Sequence, residues 1–154
     1  AAAADAGVDA LLVVDLPLGE GEALRAAARA RGVAVVPLVA PTSRPERAAD
    51  IARDLAAPGF LYYVSVAGVT GAHHGSLEGA SARAAEWRAR TSVPTVVGFG
   101  VDTPEKARAA ASAVDGCVVG TALVRAVEDG VGASDRAARV TAIVAGMRAA
   151  LDTE

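Results

Sequence analysis

Five apolar, β-branched runs alternate with segments rich in alanine, arginine and glutamate along the 154 residues. The runs lie at 9–17, 33–41, 60–66, 94–99 and 116–119. A continuous apolar run of this kind is typical of a strand that is covered on both faces. When strand and helix alternate repeatedly, the strands form a parallel sheet with right-handed crossovers. The sequence therefore predicts an α/β fold of five parallel strands with covering helices.

Helix start and stop signals fall between these runs. Gly32 is a typical stop for the first helix, and Thr42 or Ser43 is expected to cap the second, with Pro45 near its first turn. Helices are predicted over 20–31, from about 43, over 76–87, from 102, over 121–128 and over 134–151. Because no linker-like composition interrupts the series, we predict that residues 1–154 form a single domain or part of one.

The positions of the polar residues favour one of two α/β folds. A doubly wound sheet and a (β/α)8 barrel both fit the alternation. Glycine and polar residues gather where the predicted strands end, at Asp15, Ser65, Gly98, Gly100 and Gly120. Barrel enzymes build their sites at that end of the strands, and a whole barrel needs eight strands and about 250 residues. The five units therefore predict part of a barrel.

Charge and cysteine content exclude several classes of function. The net charge is −3 and Lys106 is the single lysine, so the chain has neither a basic stripe for nucleic acid nor a polybasic membrane patch. No apolar run approaches the about 18 residues of a membrane span. Cys117 is the single cysteine, which excludes an internal disulfide and a zinc cluster. We expect a cytoplasmic protein without a metal, in which Cys117 is a small buried residue.

Two consecutive strand ends finish in glycine where a helix is about to begin. Gly98 and Gly100 flank Phe99, and Gly120 is followed by Thr121. The start of a helix offers unpaired N–H groups and a partial positive charge, and glycine lets a ligand approach the backbone closely. Either pair alone could simply end a strand. Their occurrence on consecutive units favours a phosphate-binding cradle, to which Thr121 adds a hydroxyl donor.

The loop after the third run has the sequence Gly-Val-Thr-Gly-Ala, residues 68–72. Two glycines around a threonine, at the predicted mouth of a barrel, are suited to a lid that closes over a ligand. Taken without its context, the same segment is better explained as a plain loop.

Four stretches together, AGVDALLVVDLP, YVSVAGVTGA, VVGFGVDTPEKA and VVGTALVRAV, resemble the tryptophan synthase alpha chain family. The four stretches have the order and spacing found in the family, from the end of the family's third helix to its C-terminus. This resemblance implies strand–helix units 4 to 8 of a TIM barrel. It also implies a lyase of tryptophan biosynthesis, which cleaves indole-3-glycerol phosphate to indole and glyceraldehyde 3-phosphate. Members pass the indole to a β chain in an α2β2 complex, and pyridoxal phosphate is expected only on that partner.

The resemblance also implies the roles of individual residues. The contacts to the substrate phosphate would come from Gly71, Gly100, Gly120 and Thr121. The substrate pocket and its lid would be formed by Tyr62, Thr70, Val14, Val39 and Phe99. In this set Thr70 would be the lid residue that meets the catalytic aspartate on closure. Asp15 would face the barrel mouth and the partner chain.

The sequence departs from the family pattern at three points. His73 and His74 follow the lid sequence where arginine is common, and Thr121 replaces the commoner serine but keeps the hydroxyl. The family's catalytic glutamate and aspartate belong to the second strand and the loop after it, which would precede Ala1. Since the opening residues look like the end of a helix, we expect a truncated chain that holds no catalytic carboxylate and is inactive alone.

Two other readings remain open. One is a different phosphate-binding barrel enzyme, such as a ribulose-phosphate epimerase or a barrel of the histidine pathway. Such an enzyme would need catalytic acids or a metal at other strand ends, and the lid sequence argues against it. The other is a non-catalytic half-barrel that binds phosphate or a partner.

Overall fold

A computed structural model describes residues 1–17, 19–55, 59–64, 76–98, 100–130 and 134–152. The strands are β1 (Ala10–Leu12), β2 (Ala34–Val36), β3 (Leu38–Val39), β4 (Leu61–Val64), β5 (Thr95–Gly98) and β6 (Gly116–Val118). The helices are α1 (Ala2–Asp5), α2 (Glu22–Arg29), α3 (Ala48–Asp54), α4 (Leu77–Thr91), α5 (Pro104–Ala110), α6 (Thr121–Asp129) and α7 (Arg136–Leu151). Among these helices none has the length and apolar character needed to cross a membrane.

All neighbouring strands pair in parallel, and a proline divides one predicted strand into two. β1 pairs with β2, and β3, β4, β5 and β6 follow one another in a second ladder. Pro37 separates β2 from β3 because it has no N–H to give to a ladder, yet its carbonyl accepts the Tyr62 N–H at 3.0 Å. The run at 33–41 is thus one strand shared between two neighbours. The predicted fold, part of a barrel with five parallel strands, is confirmed.

The two faces of the sheet have different surroundings. Tyr63 and Val97 are paired in register, and both side chains are fully buried against the helices. Tyr62 and Val96 form the adjacent pair, lie on the opposite face and are only half-buried. In a barrel this second face is the interior, so the site is expected where this face meets the carboxyl ends of the strands.

The hydrophobic core lies between the sheet and the helices that follow β3, β4 and β5, and α7 closes it. Alanine dominates the helix side, which allows the helices to pack close to the strands. The largest core side chains are Val39, Ile51, Leu61, Tyr63, Trp87, Val97 and Met147. Cys117 packs against this core as predicted for a small packing residue, but it is half-buried and not fully buried.

Side-chain caps form at the starts of two predicted helices, whereas the one cap expected before α3 does not form. Ser76 accepts the Gly79 N–H at 3.1 Å to begin α4, and Thr103 accepts the Lys106 N–H at 3.3 Å to begin α5. The expectation that Thr42 or Ser43 caps the next helix is wrong. The Ser43 hydroxyl instead accepts the Ala40 N–H at 2.9 Å, so the chain turns first and a 3-10 turn, Pro45–Arg47, leads into α3.

Asp115 joins the starts of β5 and β6 to α4. Its Oδ2 accepts the N–H of Thr95 at 2.9 Å, and its own N–H binds the Thr95 carbonyl at 2.9 Å. Its Oδ1 lies 2.9 Å from a guanidinium nitrogen of Arg88. Thr95 is fully buried, so the carboxylate satisfies an N–H that water does not reach.

We expect Asp115→Ala to lower the free energy of unfolding by about 1 to 2 kcal/mol, because it leaves the Thr95 N–H buried without a partner. The matched variant is Arg88→Met. It removes only an exposed ion pair, and we expect it to cost under about 1 kcal/mol. Urea unfolding of the full-length protein measures both values. Equal costs for the two variants would contradict this role of the Asp115–Thr95 bond.

Candidate phosphate-binding site

A cavity of about 350 Å³ lies at the carboxyl ends of β5 and β6. Its wall combines the side chain of a strand residue, two strand-end glycines, and residues at the start of α6. The lining residues that concern the chemistry are Tyr62, Gly100, Asp102, Gly120, Thr121 and Arg125. Because parallel strands end at the same edge of a sheet, groups from separate strand–helix units meet here.

The first turn of α6 supplies hydrogen-bond donors to this cavity. Thr121 is the first residue of the helix, and Gly120 precedes it. The Gly120 carbonyl accepts the N–H groups of Leu123 and Val124, at 2.9 and 3.1 Å, and so closes the first turn. The N–H groups of Thr121 and Ala122 precede that turn and have no carbonyl within the helix to bind. The helix dipole adds partial positive charge at the same place, which suits an anion.

The two glycines in the cavity wall, Gly100 and Gly120, differ in what favours a glycine at each position. Gly100 has φ of +76°, a left-handed conformation that glycine adopts without strain. Gly120 has φ of −116°, which any residue can adopt, and a Cβ at this position would meet no atom within 4 Å. Neither its backbone conformation nor its protein neighbours therefore require a glycine at position 120. A side chain there would instead occupy the cavity.

Tyr62 forms the wall of the cavity on the β4 side. Its ring lies against the backbone of Gly98, where a Cβ would come within 2.7 Å of the ring Cζ. Partial burial raises the pKa of the Tyr62 phenol above its ordinary value, since burial disfavours the charged phenolate. The phenol therefore stays neutral near pH 7 and offers an O–H donor to a ligand.

Asp102 introduces a negative charge into the wall of the same cavity. Its carboxylate lies 2.6 Å from the ammonium nitrogen of Lys106, one helical turn further along. This hydrogen bond lowers the pKa of Asp102 below its ordinary value, and the charge of Arg125 lowers it further. Asp102 is thus ionised at neutral pH, and Lys106 balances its charge.

The structure brings together four of the predicted site residues and places three others elsewhere. Gly100, Gly120, Thr121 and Tyr62 line the one cavity. Val39, predicted for the substrate pocket, is buried in the core on the helix-covered face, beside Tyr63. The loop after β1 carries Val14, which is 78% exposed, and the exposed Asp15. The roles of these three residues stay predictions.

The predicted lid and part of the cradle lie outside the described residues. These positions are Thr70, Gly71, His73, His74 and Phe99. The roles that were predicted for Thr70, Gly71 and Phe99 therefore stay predictions.

Sequence reasoning missed two charged residues of the cavity, Asp102 and Arg125. One signal for Arg125 was present, because it follows Thr121 by four residues and therefore shares its helix face. Asp102 directly precedes the N-cap of α5, so its position near a strand end was also readable.

A second cavity, about 410 Å³, opens at the other end of the sheet. Arg88 and Asp115 contribute its charged groups, and these already bind each other and the Thr95 backbone. This cavity lies at the amino ends of the strands, where conserved contacts in barrels serve stability. We therefore assign the site to the carboxyl end.

Known proteins are similar to this chain in sequence and in fold. The family profile described as tryptophan synthase alpha chain matches residues 1–152. The alpha chain of Opitutus terrae is 46% identical over 145 residues, which are 94% of this chain and 54% of that protein. The alpha chain of Citrifermentans bemidjiense is 50% identical over 123 residues, 80% of this chain and 45% of that protein.

Solved structures agree with these sequence matches. A crystal structure of the alpha chain from Legionella pneumophila superposes with a TM-score of 0.80 at 32% identity, covering 97% of this chain and 54% of that one. The tryptophan synthase α2β2 complex of Pyrococcus furiosus gives 0.76 at 30% identity, covering 96% and 58%. The chain spans about half the length of these relatives. The family profile matches nearly all residues of this chain, and solved members of the family share its fold. The chain therefore belongs to the tryptophan synthase alpha chain family.

Proposed function

We propose that this chain is part of a tryptophan synthase alpha chain, a lyase that cleaves indole-3-glycerol phosphate to indole and glyceraldehyde 3-phosphate. The observation that carries the proposal is the cavity in which Gly100, Gly120 and Thr121 meet at the start of α6. It has the donors and the open space that a phosphate group needs, in a chain of this family.

The phosphate group anchors the substrate in this proposal. The N–H groups of Thr121 and Ala122 and the Thr121 hydroxyl donate to its oxygens, and the open space in front of Gly120 holds the group. Such bonds to a charged acceptor are among the strong hydrogen bonds of proteins. The Tyr62 ring bounds the path from the phosphate toward the barrel interior, where the indole is expected.

The cleavage itself needs two proton transfers. A base removes the proton of the substrate hydroxyl, and an acid protonates the indole ring at C3 so that the carbon–carbon bond breaks. Following the family pattern, we assign these steps to a glutamate and an aspartate of barrel units that the 154 residues do not contain. On this proposal the present residues bind and orient the phosphate end, and the activity belongs to the full-length protein.

The partner and the location follow from the same family membership. We propose that the full-length protein works in the cytoplasm with a β chain in an α2β2 complex. Pyridoxal phosphate would be bound by that β chain. Asp15, exposed at the carboxyl end of β1, is the residue that we propose faces the partner.

The first test is a lyase assay of the full-length protein with Thr121→Val. The substitution keeps the shape of the side chain and removes the hydroxyl donor. A hydrogen bond to a charged group contributes about 1.5 to 3 kcal/mol, so we expect KM for indole-3-glycerol phosphate to rise at least about tenfold. Thr121→Ser is the control and should keep a KM close to that of the parent. An unchanged KM in the valine variant would show that the Thr121 hydroxyl does not bind the phosphate. Absence of lyase activity in the full-length parent protein would refute the proposed function.

A further inference from the structure

The cavity has a cationic side chain on the second turn of α6, at Arg125. It follows Thr121 by four residues, so both lie on the face of the helix that borders the cavity. Thr121 and Ala122, whose N–H groups were assigned to the phosphate, line the same cavity. Arg125 therefore adds a full positive charge to the wall that carries these N–H groups.

We propose that Arg125 is a further phosphate-binding residue, and that Lys106 keeps it available by holding the carboxylate of Asp102. The proposal rests on the function proposed above and adds a charge-selective element to the same site. It predicts a preference for the dianionic end of the substrate that backbone N–H groups alone would not give.

The ion pair at the cavity, between Asp102 and Lys106, supports this availability. Arg125 forms no ion pair with any carboxylate of the described residues, although Asp102 borders the same cavity. The Asp102 oxygen instead lies 2.6 Å from the Lys106 nitrogen.

The charges around the cavity then favour an anion. Asp102 alone would repel a phosphate and attract Arg125 away from it. Because Lys106 binds Asp102 from the adjacent turn of α5, these two charges largely cancel. The remaining charge, on Arg125, adds to the dipole of α6, so that both act on the ligand in the same direction.

The test is binding of glycerol 3-phosphate to the full-length protein by calorimetry, together with lyase kinetics. For Arg125→Met we expect the Kd to rise about tenfold, as for the loss of one charge-assisted contact. Arg125→Lys keeps the charge and should restore most of the affinity. The loss should appear in KM more than in kcat, since the phosphate is remote from the bond that breaks. The ratio of the Kd of Arg125→Met to that of the parent should be smaller at high salt, since exposed charges are screened.

The role of Lys106 is tested separately by Lys106→Met. This variant should weaken glycerol 3-phosphate binding although Lys106 does not border the cavity. Adding Asp102→Asn to it should restore the affinity, because no carboxylate is then left to compete for Arg125. A double variant as weak as Lys106→Met alone would overturn this part of the proposal.

Two variants distinguish an error about Arg125 from an error about the phosphate-binding site itself. If Gly120→Asp weakens glycerol 3-phosphate binding and Arg125→Met does not, Arg125 has no role and the proposed site stands. If neither variant changes the Kd, both proposals are refuted. Equal weakening by the methionine and lysine variants would indicate lost packing in place of lost charge, and would also overturn the inference.

Discussion

Gly120→Asp in the full-length protein is expected to raise KM for indole-3-glycerol phosphate by about 100-fold or more. The new carboxylate would stand in the open space in front of α6, where the phosphate is proposed to bind. Two like charges about 4 Å apart repel by about 4 kcal/mol at the effective dielectric constant near a protein surface. Each 1.4 kcal/mol corresponds to about tenfold in affinity, so even strong screening leaves a large effect.

Two further substitutions at this position separate charge from size. Gly120→Ala should fold normally, because φ of −116° suits any residue and its Cβ has no close neighbour. Gly120→Asn has the size of aspartate without its charge. We expect KM to increase in the order alanine, asparagine, aspartate in steady-state assays. A KM of the aspartate variant equal to that of the asparagine variant would show that no anion binds there.

The convergence of Gly100, Gly120 and Thr121 could be predicted from the sequence. Each follows an apolar run, and parallel strands present their carboxyl ends at the same edge, so consecutive strand ends become neighbours. The start of α6 could also be predicted, since a strand ending in glycine leads directly into a helical segment. Local sequence therefore indicates both parts of the site, the strand-end glycines and the helix start, and the sheet brings them together.

Other features depend on contacts between distant residues. Asp115 binds the backbone of Thr95, 20 residues away, and no local pattern indicates that bond. The position of Arg125 in the same cavity wall as Asp102 depends on how α5 and α6 lie around the cavity.

The sequence pattern does not indicate which neighbour a side chain at position 98 would meet. Gly98 was read as part of an anion cradle, whereas its backbone lies against the Tyr62 ring in the structure. A Cβ at position 98 would therefore displace the ring. Replacing Gly98 should act through Tyr62, which forms one wall of the cavity.

Gly98→Ala is expected to lower the free energy of unfolding by up to about 3 kcal/mol and to reduce kcat/KM. The new Cβ would stand within 2.7 Å of the ring Cζ, so the ring must leave its position over β5. Since β5 is held between β4 and β6, the strand has little freedom to move instead. Because Tyr62 lines the cavity, we expect the displaced ring to narrow it, which would couple the loss of stability to a loss of substrate binding.

Gly116→Ala is the matched control, because it also adds a Cβ to a strand glycine of the same sheet. There the Cβ would lie 3.7 Å from a Val96 methyl, an ordinary contact, so we expect a change within about 0.5 kcal/mol. The cause is tested by a double-mutant cycle with Tyr62→Ala, using urea unfolding. Without the ring, Gly98→Ala should cost under about 1 kcal/mol. If Gly98→Ala costs as much with Tyr62 removed as with it present, the ring is not what requires glycine at this strand end.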